Sequence, residues 1–295
     1  MTFFSRFPKF QRALLRRIKR YRGFEERYEI LDLISESYKT EIYKAYDRSL
    51  NTFVAIKIIK FDAPAVILGM SDFIRRWERM CKYTLKLKHP NILVMLDNGI
   101  NHRKNFIYYS TLYVSGFSLD DVGNLRQLNL KTKLKIAADL VDALAYAHDK
   151  GIIHRDIKPG NILVDNFGKA YLTDFQSARF EASPITKPGL TLGTPLYMSP
   201  EQIKGKKLDD RSDIFSLGNV FYYLFSGKTA FSGSSFIEIS NKIVNEEPEP
   251  LTNVERELPD ELASLVTAML KKDPNERMSD YELILKTLKS LLEKI

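Results

Sequence analysis

The hydrophobic period of this chain changes near Gly116, and that change restricts the fold more than any other feature. Before it, YEILDLISE, EIYKAYDR and TFVAIKIIK are short, β-branched and aromatic-rich, with Asn51 at the turn between the last two. They predict three antiparallel strands. NILVMLDNGI and FIYYSTLYV predict two more, and residues 65–86 a helix. After Gly116 the period is 3.6 residues. KTKLKIAADLVDALAYAHDKG reads as a helix closed by Gly151, and residues 211–226, 233–245, 259–271 and 279–292 as further helices. A strand-rich first third followed by a helix-rich remainder predicts an α+β chain of two lobes, residues 24–111 and 112–295, preceded by an arm over residues 1–23.

The arm accounts for the net charge. The chain carries +8, from 45 basic and 37 acidic residues. Residues 1–23 hold eight basic residues and no acid, so removing them leaves 37 of each sign and a formally neutral body. A basic body that grips nucleic acid is therefore not expected. Phe3, Phe7, Phe10, Leu14, Ile18 and Tyr21 recur every three or four residues, which gives a helix with one apolar stripe and a basic opposite face. Such a helix either packs on its own domain or docks on a membrane surface or a partner. No stretch is long and apolar enough to span a bilayer, and no secretory leader is read at the start. The single cysteine, Cys81, forbids an intrachain disulfide and fits a reducing cytoplasm.

The chemistry is concentrated in 154-HRDIKPGN-161 and in 173-TDFQ-176. Asp156 is placed to accept or orient a hydroxyl proton, and Lys158 to neutralise charge on a moving phosphoryl group. Asn161 and Asp174 offer an amide oxygen and a carboxylate to Mg²⁺ bound to substrate phosphates, because that ion prefers hard oxygens. This string resembles the catalytic loop of eukaryotic-type protein kinases, and the resemblance extends over about residues 28–292. It implies the bilobal protein kinase fold: a small antiparallel β lobe with one helix, and a large, mainly helical lobe.

The resemblance also assigns roles elsewhere. In 54-VAIK-57, Lys57 matches the lysine that reaches the α- and β-phosphates of ATP. Thr111 falls at the gatekeeper position and Leu112 to Val114 at the adenine hinge, with Ile34, Ile42, Ala55 and Leu163 around the ring. 193-GTPLYMSPE-201 is similar to the substrate-docking loop, that of bacterial serine/threonine kinases above all, and Lys158 with Thr194 is similar to the serine/threonine branch. Asp213 resembles the aspartate that braces the catalytic loop, and Arg277 the arginine that pairs with Glu201. Arg155 before Asp156 implies regulation by a phosphate on Thr186 or Thr191. The implied activity is transfer of the γ-phosphoryl group of ATP to protein Ser/Thr hydroxyls, including its own.

Three departures leave a second function open. Ser35, Ser37 and Thr40 stand where the family's phosphate loop has glycines. A Cβ in a left-handed backbone there is expected to cost about 1–2 kcal/mol per residue and to weaken nucleotide handling. The helix glutamate that pairs with Lys57 falls either at Glu78 or, by strict spacing, at Met80, which cannot serve. Gln176 replaces the glycine of Asp-Phe-Gly, which changes switching but retains Asp174 as ligand. The alternative to an active kinase is a pseudokinase, a nucleotide- or partner-binding regulatory module on the same fold.

Overall fold

The computed structural model describes residues 24–37, 40–60, 75, 77–78, 81, 84–101, 106–175 and 195–295. The chain divides into two compact units. One holds the described residues up to Lys86 together with Leu93–Val114, and the other holds Leu87–Ile92 and Ser115–Ile295.

The first unit is one antiparallel sheet of β1 (Tyr28–Glu36), β2 (Thr40–Asp47), β3 (Thr52–Lys60), β4 (Met95–Asn101) and β5 (Phe106–Leu112), in the order β1-β2-β3-β5-β4. Alternation decides its faces. Tyr43, Ala45, Val54, Ile56 and Ile58 point to one side and are buried with Tyr28, Ile30 and Phe106. A short helix α1 (Phe24–Arg27) covers that side. Phe24 meets the Tyr108 ring edge-on at 4.8 Å, and Arg27 bridges Asp47 at 2.9 Å and Asp97 at 3.0 Å. Asn51 takes φ 53° in the β2–β3 turn, a conformation that asparagine tolerates better than most residues. The described positions Arg75, Trp77, Glu78, Cys81 and Thr84 are helical, and buried Trp77 packs on Tyr109 with ring centroids 6.2 Å apart.

The strand predicted from Asn91 starts at Met95 instead. Leu87 and Ile92 are buried in the core of the second unit, the Asn91 amide donates to the Ala170 carbonyl at 2.8 Å, and Ile92 bridges Leu172. Core burial there outweighs continuation of the strand.

The second unit begins with a small sheet, β6 (Gly116–Ser118), β7 (Ile162–Asp165) and β8 (Ala170–Leu172), all antiparallel. A Cβ at Gly116 would lie 2.0 Å from the Val164 carbonyl oxygen, so the first pairing requires glycine. Its helices are α2 (Val122–Gln127), α3 (Leu130–Asp149), α4 (Pro200–Ile203), α5 (Asp210–Ser226), α6 (Phe236–Asn245), α7 (Leu251–Val254), α8 (Asp260–Met269) and α9 (Tyr281–Glu293). Asn129, Asp209, Ser235 and Asp280 cap α3, α5, α6 and α9. Gly151 ends the α3 region at φ 68°, its N–H on the His148 carbonyl at 2.8 Å. Every residue of α5 from Ser212 to Phe225 is buried, so α5 is the axis around which this unit packs. Among the described residues, no helix is long and apolar enough to cross a membrane.

Candidate phosphoryl-transfer site

In the first unit, several of the expected nucleotide-binding residues fall on one face of the sheet. Lys57 sits in the middle of β3, opposite Ile42 on β2 and Tyr109 on β5. Ala55 lies two residues back, opposite Thr111. Directly paired residues share a face, so Ile42, Ala55, Lys57 and Thr111 are brought onto one surface. Thr111 is buried, and its hydroxyl donates to the Leu112 carbonyl at 3.3 Å. Leu112 is exposed and Val114 half-buried. The Tyr113 N–H donates to the Phe53 carbonyl at 3.1 Å, which ties the segment after β5 back to β3.

Ile34 and Ser35 are exposed at the end of β1. Beyond them the hairpin closes through the Ser37 N–H on the Thr40 carbonyl at 2.8 Å. Ser35, Ser37 and Thr40 all have negative φ; among the described non-glycine residues only Asn51, Arg155 and Asp174 are positive. The left-handed strain expected at the three lost glycines does not arise, because an extended hairpin needs no such conformation there. Glu78 is exposed on its helix, and Met80 lies outside the described residues.

The second unit holds the loop over residues 154–161. Lys158 Nζ donates to both carboxylate oxygens of Asp156, at 3.0 and 2.8 Å. Asn161 Nδ2 donates to the Asp156 carbonyl at 2.7 Å and to its carboxylate at 2.9 Å. Both amide hydrogens are thereby spent on Asp156, and the oxygen Oδ1 remains as the acceptor of that side chain. Thr173 ties the next segment down: its N–H and its hydroxyl donate to the Asn161 carbonyl, at 2.9 and 3.2 Å. Asp174 follows at φ 63° and Phe175 is buried against His154, ring centroids 4.6 Å apart. Leu163 is half-buried on β7, paired with Ser118 and Tyr171.

His154, His148, Tyr281 and Gln202, which have no role assigned from the sequence, join Asp213 and Arg155 in holding this arrangement. Buried His154 donates from Nε2 to the Thr173 carbonyl at 2.7 Å, so its Nδ1 is the acceptor for the Asp156 N–H at 3.3 Å. Asp213, in the first turn of α5, receives the N–H of His154 at 2.6 Å and of Arg155 at 2.7 Å, and the His148 ring at 2.8 Å. His148 in turn meets the Tyr281 hydroxyl at 2.5 Å. Arg155 has φ 70°, its carbonyl accepts from Gln202 at 2.8 Å, and its buried Nε has no hydrogen-bond partner among the described residues. Left-handed non-glycine residues cluster where surrounding bonds over-determine the backbone, as the bonds to Asp213 do here.

Glu201 and Arg277 form a buried pair at 2.8 and 3.2 Å, with the Ser212 hydroxyl on the same carboxylate at 2.7 Å. Burial pushes the Glu201 carboxyl up, but Arg277 and Ser212 outweigh it and hold the group below its ordinary range. Arg277 also donates to the carbonyls of Lys271, Arg211 and Lys272. Gln176, Thr186, Thr191 and Thr194 lie outside the described residues.

The donor set fits a hard divalent cation. An amide oxygen on Asn161 and a carboxylate on Asp174, the residue after the Thr173 that is bonded to the Asn161 carbonyl, are donors that suit an ion taking one or two protein carboxylates and completing its shell with phosphate oxygens and water. Among the described residues, no group of three His, Cys, Asp or Glu side chains forms a self-sufficient metal cage.

Residues 28–289 match the protein kinase domain family. The chain is 34% identical over 90% of its length to a probable serine/threonine-protein kinase of Clostridium perfringens, covering 38% of that protein. It is 35% identical over 87% of its length to serine/threonine-protein kinase PrkC of Bacillus subtilis, covering 39%. Against serine/threonine-protein kinase PknB of Mycolicibacterium smegmatis the figures are 31%, 85% and 41%. The chain thus spans about two fifths of the length of these relatives.

Proposed function

Since this chain belongs to the protein kinase family, whose members use ATP and generally a divalent metal, we propose that it transfers the γ-phosphoryl group of ATP to serine and threonine hydroxyls of proteins. The observation that carries this reading is the Asp156–Lys158–Asn161 cluster, closed by hydrogen bonds of 2.7–3.0 Å and braced from behind by Asp213. Asp156 takes or orients the hydroxyl proton, its carboxylate aimed by Asn161. Lys158, already on that carboxylate, places a positive charge beside the group in flight. Lys57 binds the α- and β-phosphates, and Ile34, Ile42, Ala55, Thr111, Leu112, Val114 and Leu163 enclose the adenine. Asn161 and Asp174 would hold Mg²⁺, which would supply charge neutralisation for the phosphoryl group in transfer. Phosphoryl transfer depends chiefly on positioning and electrostatics, so the groups that touch the phosphates and the metal matter most. The unpartnered Arg155 Nε is the donor that a phosphate on Thr186 or Thr191 meets.

The reading as a regulatory module drew on the lost glycines at Ser35, Ser37 and Thr40 and on the helix glutamate, at Glu78 or displaced by Met80; the negative φ at the three loop positions speaks against the strain part of that argument, and the glutamate part stands. One assay separates the two. Wild-type protein transfers labelled γ-phosphate to a serine/threonine protein substrate, and Asp156→Asn lowers the rate roughly 10²- to 10⁴-fold. Wild type as inactive as Asp156→Asn, with ATP still bound, supports the regulatory module instead.

The setting proposed is cytoplasmic, with residues 1–23 peripheral to an anionic membrane surface. Eight basic residues without an acid support this, since each contributes about 1 kcal/mol near such a surface. Deleting them abolishes salt-sensitive binding to anionic vesicles. If deletion instead lowers the melting temperature and leaves vesicle binding unchanged, the arm packs on its own domain.

A further inference from the structure

The brace behind the catalytic loop depends on a histidine that has two distinguishable states. The Asp213 oxygen Oδ2 accepts from the His154 N–H at 2.6 Å and faces His148 Nε2 at 2.8 Å. The other oxygen, Oδ1, accepts from the Arg155 N–H at 2.7 Å. Asp213 is 1% exposed and the His148 side chain 6%. In so dry a place the His148–Asp213 contact holds only while Nε2 carries a hydrogen; in the other tautomer two lone pairs are opposed at that distance and the groups are pushed apart. Neutral His148 meets that demand only as the Nε2–H tautomer, which leaves Nδ1 as an acceptor. Nδ1 faces the Tyr281 hydroxyl at 2.5 Å.

Tyr281 opens α9, far along the chain from the loop, and its ring meets the imidazole edge-on at 5.6 Å. Burial, together with the nearby carboxylates of Asp213 and Asp210, pushes its hydroxyl well above the ordinary tyrosine range. It therefore stays protonated and donates. A donor at Nδ1 selects the tautomer that puts a hydrogen at Nε2. The chain of donors runs from the Tyr281 O–H to His148 Nδ1, and from His148 Nε2–H to Asp213. That carboxylate also receives the two backbone N–H groups immediately before Asp156.

We infer that Tyr281 is a positioning residue for the catalytic loop: its hydroxyl fixes the His148 tautomer and thereby the grip of Asp213 on the backbone of His154 and Arg155. As a statement about catalysis this rests on the phosphoryl-transfer reading above; as a statement about the loop it does not.

Tyr281→Phe keeps the ring contact and removes only the hydroxyl. Imidazole ¹⁵N spectra of the full chain report the tautomer directly. In wild type, His148 shows a single Nε2–H form. In Tyr281→Phe it shows a mixture, and amide exchange at His154 and Arg155 accelerates about tenfold. kcat falls about tenfold, while KM for ATP and for protein substrate stays within about twofold. His148→Gln supplies an amide donor toward Asp213 with no tautomer to choose, so adding Tyr281→Phe to it changes exchange and kcat little further. An unchanged His148 spectrum with unchanged exchange in Tyr281→Phe overturns the inference, as does an undiminished Tyr281→Phe effect in the His148→Gln background. Wild-type protein with no transferase activity, but with the predicted spectra and exchange, refutes the enzymatic reading and leaves the inference about the loop standing.

Discussion

Replacing Arg277 by Met tests whether the second unit is clamped where the geometry places the clamp. Arg277 is 4% exposed and Glu201 7%, and the pair is bidentate at 2.8 and 3.2 Å. The substitution keeps most of the side-chain volume but leaves a buried carboxylate with Ser212 as its remaining side-chain donor. Removing one partner of such a pair costs about 3–5 kcal/mol, because the surviving charge stays desolvated. The same arginine satisfies the carbonyls of Lys271, Arg211 and Lys272, so it joins the start of α5 to the α8–α9 connection, and the loss falls at the upper end. At about 2–4 °C per kcal/mol for a unit of 150–250 residues, the melting temperature should drop by about 6–20 °C. Urea unfolding followed by circular dichroism gives the free energy. The Glu201→Met, Arg277→Met double variant should recover part of the loss, since neither charge is then stranded. The pair also sets an acid limit. The folded-state pKa of Glu201 lies below its ordinary value of 4.5. Its contribution is therefore complete above that value and fades as pH falls through it toward the depressed one. A loss below about 1 kcal/mol in Arg277→Met, the range of an exposed pair, would refute this account of the clamp.

Two further perturbations address other parts of the fold. Gly116→Ala pushes a Cβ into the Val164 carbonyl and should cost about 1–3 kcal/mol in urea unfolding; a neutral result would mean that β6 and β7 separate without penalty. Burial pushes the Cys81 thiol up to about 12, so it should resist a thiol reagent at pH 8 in the native protein and react fully in denaturant.

The sequence was most legible where a pattern maps onto one element. Short β-branched and aromatic runs located β1, β2, β3 and β5, and helical patterning located α3, α5, α6, α8 and α9. The three short strands β6, β7 and β8 escaped it, because three or four residues cannot display a period and their pairing depends on Gly116. The start of β4 was misplaced because Asn91 and Ile92 look strand-like yet are committed to the core of the second unit. Motif spacing singled out Asp156, Lys158, Asn161, Asp213, Glu201 and Arg277, but gave no role to His154, His148 or Tyr281. Their signal is a hydrogen bond across the fold. His148 and Tyr281 sit 133 residues apart, and no local pattern records such a pairing. The strain expected at Ser35, Ser37 and Thr40 failed for the opposite reason: residue type alone does not fix φ, and the hairpin there is extended.

The central proposal is that Lys57, Asp156, Asn161 and Asp174 act on one metal-bound nucleotide. Single-turnover transfer of γ-phosphate, measured with Mg²⁺ for wild type, Lys57→Met, Asp156→Asn, Asn161→Ala and Asp174→Asn, tests it most directly. The account predicts transfer by wild type and a loss of roughly 10²-fold or more in every variant, each variant remaining folded by circular dichroism. Transfer at the wild-type rate by any one of the four would contradict it.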